Sequence, residues 1–317
     1  MQTTLTTGSG ANRQRLTADG LLLLVALIWG SAFVAQRLIA VSGLGFFLFN
    51  GLRFLVGTAV TFLFLRGNLR GFTRTELRGG ALAGVIILTA ATLQHAGMRW
   101  TTAGKAGFIT GLYVVLIPLF LTIFWRRKLS TVTWLASGLA AVGLFLLSVQ
   151  EDLTLAPGDG LEMIGAVMWT LHVILIGRLA PKCDTLRLAI VQYATCGVLG
   201  TLIGLIFEGG TLGELPPAWL AILYTGGLSV GVGYTLQVMG QRHAPPADSA
   251  ILLSLEAVFA ALFGWWILGE ALTPPQLLGC VLMMTGMLLA QWGVLAPQRQ
   301  AKGAAVVDGC ADDNIAS

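Results

Sequence analysis

The chain has 317 residues, of which 56% are hydrophobic and 11% charged, with a formal net charge of +4. Soluble domains run near a quarter charged, and a fold of this size cannot hide that much apolar surface, so a water-soluble globule is excluded. The basic residues stand in short clusters between apolar runs, which excludes a phosphate-binding groove and fits loops at a membrane surface.

A membrane-crossing helix needs about 20 mostly apolar residues. In chain order such runs fall at 20–40, 44–65, 79–99, 102–125, 130–149, 160–180, 186–207, 218–240, 246–268 and 274–295. The first follows Arg13 and Arg15 as a signal peptide would. Nine further runs come after it, so it is read as a retained helix. Turn-forming residues punctuate the breaks: Gly67-Asn68, Pro157-Gly158-Asp159-Gly160, Pro181, Pro216-Pro217, Pro245-Pro246 and Pro274-Pro275. The tails, 1–16 and 297–317, are polar and rich in small residues, and are expected to be disordered. Cys183, Cys196, Cys280 and Cys310 show no C-x-x-C spacing, so no metal site, disulfide framework or cofactor is expected.

Ten crossings put both termini on one side. Placing that side in the cytoplasm leaves fifteen Lys and Arg residues inside and only Arg37, Arg99 and Lys105 at outer ends, with Arg53 inside a helix. Glu151, Asp152, Glu208, Glu214 and Glu270 fall outside. This is the positive-inside bias. Seven of the nine tryptophans lie near helix ends, as an interfacial belt requires, whereas Trp29 and Trp169 lie mid-helix.

The chain repeats itself. A shift of 143 lays 88–143 on 231–286: Thr92-Leu93-Gln94 on Thr235-Leu236-Gln237, Gly97 on Gly240, Gly143 on Gly286. Earlier, a shift of 140 pairs Asp19-Gly20 with Asp159-Gly160 and Trp29 with Trp169. Each half holds five helices, an odd number, so the halves enter the membrane upside down relative to each other. The predicted fold is an all-α integral membrane protein of ten transmembrane helices in two inverted five-helix repeats, 18–150 and 155–296, flanked by tails 1–17 and 297–317. Inverted repeats characterise many secondary transporters, where two similar halves enclose a site near the midplane.

Leu27-Ile28-Trp29-Gly30-Ser31-Ala32-Phe33, Leu52-Arg53-Phe54, and Ala106 through Tyr113 to Pro118 stand in order in the first half. In the second half stand Leu255-Glu256-Ala257-Val258-Phe259, Leu268-Gly269-Glu270, and Gly279 to Gly286. Over residues 18–295 the sequence resembles the drug/metabolite transporter superfamily, in its ten-helix EamA-type branch. The resemblance implies a metabolite transporter of the bacterial cytoplasmic membrane, with a central cavity lined by helices 1, 3, 4, 6, 8 and 9.

Ionisable groups at mid-membrane cost about 3 kcal/mol on the insertion scale, so they face protein or a watery cavity. Glu256 is the clearest case, and its repeat mate Tyr113 lies equally deep; together they read as an ammonium or proton site. Arg53 could meet a substrate carboxylate or act as structural glue. Asn50, one turn earlier, could share its partner. Gln94 and Gln237 are mates near the ends of helices that run in opposite directions, where amides could serve a two-gated cavity or hold helices together. His95 and His172 could couple protons or act as packing donors, and Trp29 and Trp169 could line the cavity or fill the core. Four small-xxx-small pairs, Gly80/Gly84, Gly107/Gly111, Gly200/Gly204 and Gly227/Gly231, mark close helix approaches.

Gly227-Leu228-Ser229-Val230-Gly231 matches the nucleophile-elbow pattern but falls inside an apolar helix, so no enzyme is expected. The expected function is a secondary transporter, with export favoured, of small polar metabolites such as amino acids, working by alternating access. An intramembrane enzyme or a non-transporting scaffold or sensor is the alternative. The expected partners are a small-molecule substrate and the lipid bilayer, without nucleic acid; a homodimer is compatible with the sequence.

Overall fold

A computed structural model describes residues 8–65, 70–100, 109–148, 157–268, 273–290 and 292. Lys105, the Glu151-Asp152 loop, Gly269-Glu270, Gly107, Cys310 and the C-terminal tail lie outside the described residues. Each of the ten predicted runs coincides with an apolar helix. Seven are long enough to cross a membrane, and three shorter apolar ones complete the set. In chain order they are α1 (Gly8–Ala40), α2 (Phe46–Phe64), α3 (Arg74–Gly97), α4 (Ile109–Trp125), α5 (Thr131–Ser148), α6 (Pro157–Leu179), α7 (Thr185–Phe207), α8 (Gly209–Gln241), α9 (Pro246–Ile267) and α10 (Pro274–Ala290).

α1 begins at Gly8, so described residues read as a tail instead extend the first helix. The polar turn is tied down by an i,i+4 pair, Arg15 Nε to Asp19 at 3.0 Å, and by Arg15 Nη2 to Asp248 Oδ2 at 2.7 Å on α9.

The inversion is visible in the packing. A Cβ on Gly143 of α5 would lie 2.6 Å from Gly279 O and 2.9 Å from Met283 N. One on Gly286 of α10 would lie 2.8 Å from Ala136 O and 3.2 Å from Ala140 N. Every residue in the first contact is the 143-shift mate of one in the second. The same holds for Gly97 against Glu162 and Gly158, and Gly240 against Leu22 and Ala18, where the glycines are 143 apart and their partners 140 apart. A pseudo-two-fold axis therefore relates the halves.

α2 and α7 form the antiparallel spine of the bundle, and glycines set their approach. Gly51 meets Thr201, Gly197 meets Leu55, and Gly204 meets the backbone of Leu48. Gly80 and Gly84 likewise bring α3 against Val191 and Gln192 of α7, while a Cβ on Gly227 would meet none of the described residues within 4 Å. Each end of the spine is capped by an acid. Glu208 accepts from Phe47 N (3.2 Å) and Leu48 N (2.9 Å) at the start of α2. Glu76 closes a capping box with Thr73 and accepts from Asp184 N (2.9 Å) at the start of α7. These carboxylates satisfy helix N–H groups that have no intrahelical partner.

Outward-facing Leu63, Ile206, Phe207, Leu220 and Trp266 are more than half exposed, as lipid-facing residues are. The tryptophans predicted at helix ends are exposed as well, whereas Trp169 is buried and Trp29 partly so.

Candidate functional site

Two helices tighten at equivalent positions while staying in the right-handed helical region. In α4, Leu112 turns with φ −59°, ψ −14°, and in α9, Leu255 turns with φ −63°, ψ −11°. The two residues are 143 apart, and each accepts or donates a tightened i→i+3 bond, Val115 N to Leu112 O at 2.9 Å and Leu255 N to Leu252 O at 3.3 Å. The residue after each tightened turn is Tyr113 in one half and Glu256 in the other, and the tyrosine hydroxyl donates to Glu256 Oε1 at 3.1 Å.

Around this pair lies one cavity. It is lined by all six predicted substrate residues, Trp29, Gln94, Tyr113, Trp169, Gln237 and Glu256, together with Arg53. Its free volume is about 40 Å³, space for a few waters, so these side chains must part to admit a metabolite. Residues not read as substrate ligands in the sequence complete the wall: Phe33 and Gln36 from α1, Thr110 from α4, Val173 from α6, Ser229 and Tyr234 from α8, and Leu253 from α9.

Tyr234 is the most consequential of these. Its ring centroid lies 4.6 Å from that of Trp29 and 6.1 Å from that of Trp169, stacked on the latter at 23°. The two repeat-related tryptophans thus flank one tyrosine. Trp29 is fixed further by its indole N–H donating to Ser229 O at 3.2 Å. Tyr234 ends a π-helical segment, Thr225–Tyr234, inside α8. This stretch carries Gly226, Gly227, Gly231 and Gly233, where the equivalent part of α3 is regular α-helix. The wider turn re-aims side chains, as π-bulges at functional sites do. The repeat could not reveal Tyr234, since its mate is Ala91; a tyrosine beside a glycine-rich intramembrane run was the available signal. Ser229 lies within this helical segment, so the nucleophile-elbow pattern has no strand-to-helix turn here.

The glutamines differ between halves. Gln94 Nε2 donates to Thr110 Oγ1 at 2.9 Å, and Thr110 donates to Glu162 Oε2 at 3.2 Å. The equivalent set in the second half is Gln237, Leu253 and Leu22, which is apolar beyond the amide. Glu162, fully buried, was missed because its repeat mate is Leu22 and it lies only five residues past Pro157.

Of the other predicted residues, Arg53 lines the cavity, while Asn50, His95 and His172 stand off it. Asn50 Nδ2 donates to Phe46 O in its own helix while Arg53 Nη1 donates to Gln36 Oε1, so the two do not share a partner. Their side chains diverge because Phe49 and Phe54 enclose the guanidinium. His95 packs edge-on against Phe49 with no hydrogen-bond partner among the described residues. His172 bonds Gln192 Oε1 at 3.1 Å and sits behind Trp169 and Tyr234.

A ten-helix bundle with inverted halves and a shared midplane cavity is the form of a polytopic membrane transporter. The EamA-like transporter family matches residues 16–149 and 156–292, one match to each half, and the chain belongs to that family. It is similar to an uncharacterized transporter of Archaeoglobus fulgidus, 31% identical over 287 residues, spanning 89% of this chain and 88% of that one. It is also similar to the threonine/homoserine exporter RhtA of Escherichia coli K12, 26% identical over 268 residues, spanning 81% and 85%. A solved crystal structure shares the fold with a TM-score of 0.73 and 18% identity, covering 86% of this chain and 98% of that chain.

Proposed function

We propose that this EamA-family transporter is a secondary exporter of amino acids or closely related small polar metabolites, working by alternating access. The observation that carries the reading is the meeting of Tyr113 and Glu256, equivalent residues from the two halves, in a cavity that both halves line. A site on the pseudo-two-fold axis can be reached from either membrane face when the halves rock. The wall combines aromatic faces, three amides, one carboxyl and one guanidinium, which suits a compact zwitterion, and the exporter named among its relatives handles threonine and homoserine. Glu256 is the proton- or ammonium-accepting group, with Tyr113 orienting it. By the distribution of Lys and Arg, both termini face the cytoplasm of a cell bounded by this membrane.

The test is uptake of labelled amino acids and amines into proteoliposomes, with and without a pH gradient. Saturable uptake of one class above empty liposomes supports the proposal. Flux equal to that of empty liposomes for every compound overturns it.

A further inference from the structure

We infer that Arg53 is the anion receptor of this cavity, so that the transported compound carries a carboxylate which seats on the guanidinium. This deepens the transporter reading and rests on it.

Arg53 lies in the middle of α2, is 2% exposed, and lines the same cavity as Glu256. A guanidinium has five N–H donors in a fixed fork and no acceptor. Among the described residues, its one hydrogen bond is Nη1 to Gln36 Oε1 at 2.7 Å, and its buried Nε has no partner. The ion pairs among the described residues join Arg15 to Asp19 and Asp248, far along the chain from α2; none involves Arg53. The rings of Phe49 and Phe54 hold the guanidinium carbon at 5.2 and 5.3 Å from their centroids. Aromatic faces favour the cation electrostatically but offer its N–H groups no oxygen to bond. Gln36 and the two phenylalanines therefore fix the fork while leaving donors unused.

An arginine serving only as glue between helices would be expected to spend its donors on carbonyls or on an acid. Among the described residues, the one carboxylate lining this cavity, Glu256, is engaged by Tyr113 instead. One buried cation and one buried acid, each held by a neutral partner in a single cavity, complement a zwitterion whose carboxylate meets Arg53 and whose ammonium meets Glu256. The second half supplies no duplicate. The positions equivalent to Arg53 on α7 are Tyr193 and Cys196, depending on the shift, and neither is a cation. The anion site is single, so it gives a nearly symmetric cavity a fixed orientation for its substrate.

The experiment pairs threonine, homoserine and phenylalanine with their carboxamides, which keep the ammonium and side chain but lose the negative charge. Binding is read as thermal stabilisation of the purified full-length protein, and transport as proteoliposome uptake, for wild type, Arg53→Gln and Arg53→Lys. Losing a charge-assisted hydrogen bond is worth about ten- to a hundredfold. Wild type is expected to prefer acid over amide by about that factor, Arg53→Gln to abolish the preference, and Arg53→Lys to retain part of it. Equal affinity of wild type for acid and amide, or an equal loss for both in Arg53→Gln, overturns the inference. If Arg53→Gln does not fold, the wild-type acid-to-amide ratio decides alone. Acid-selective binding without flux would keep the anion receptor and overturn the transporter reading. Uptake of amides without acid preference would do the reverse. No binding and no flux for the whole panel would overturn both.

Discussion

Tyr113 donates its hydroxyl to Glu256 at 3.1 Å, and the two are 143 residues apart, the period of the internal repeat. A residue that touches its own repeat mate lies at the pseudo-two-fold axis. Here the mates have diverged, one into an acid and the other into a hydroxyl that bonds it. Glu256→Gln is expected to retain folding, since an amide oxygen can still accept from Tyr113, and to lose any response of uptake to an imposed pH gradient. Proteoliposome flux at matched and unmatched pH checks this; a mutant that keeps the wild-type response rules out Glu256 as the proton-coupling group.

Tyr234 between Trp29 and Trp169 offers a second test. Aromatic pairs are worth about 0.5–1.5 kcal/mol beyond area burial. Tyr234→Phe keeps both ring contacts and should leave substrate affinity within about threefold, whereas Tyr234→Ala should weaken it about tenfold or more. Affinity in the alanine variant equal to wild type would place the cluster in the core and not in the site.

Two glycines of α5 separate packing from helix propensity. A Cβ at Gly143 would come within 2.6 Å of Gly279 O, while one at Gly138 meets none of the described residues within 4 Å. Gly143→Ala should destabilise the protein by about 1–3 kcal/mol through overpacking. Gly138→Ala should stabilise it by about 0.5–1 kcal/mol, because alanine loses less backbone freedom on folding. Unfolding in detergent measures both, and the same sign for the two would contradict the packing described for α5 and α10.

Arg15 ties α1 to α9 through Asp248 at the end of the bundle where the basic loops gather. Under alternating access this pair must open whenever that mouth opens. Asp248→Asn is expected to raise the labelling rate of a cysteine placed at Leu253, in a background free of native cysteines, by an impermeant thiol reagent applied from that side. An unchanged rate would show that the ion pair does not restrain the mouth.

How much was readable in advance varied with the physics involved. All ten helices were legible because lipid requires about 20 apolar residues per crossing, and that requirement is written locally. The six cavity residues were found by two cues: polar or aromatic groups at mid-membrane, and recurrence at a fixed shift. Tyr234, Gln36, Thr110 and Glu162 escaped because they have no polar or aromatic repeat mate or lie near a helix end, where polarity is unremarkable. Asn50 and Arg53 share a helix face, yet the structure sends them to different partners, since Phe49 and Phe54 close around the guanidinium.

The sequence by itself determined a lipid-embedded helical bundle, its duplication and its inversion, because hydropathy, loop charge and an odd helix count per repeat are properties of the chain read in order. Only the tertiary structure decided that Tyr113 bonds Glu256, that Tyr234 lies between two tryptophans, and that Arg53 keeps unused donors. Those relationships depend on where distant helices cross, and the crossings are set by glycine contacts at particular positions along the helices. No local pattern encodes a distance between segments more than a hundred residues apart.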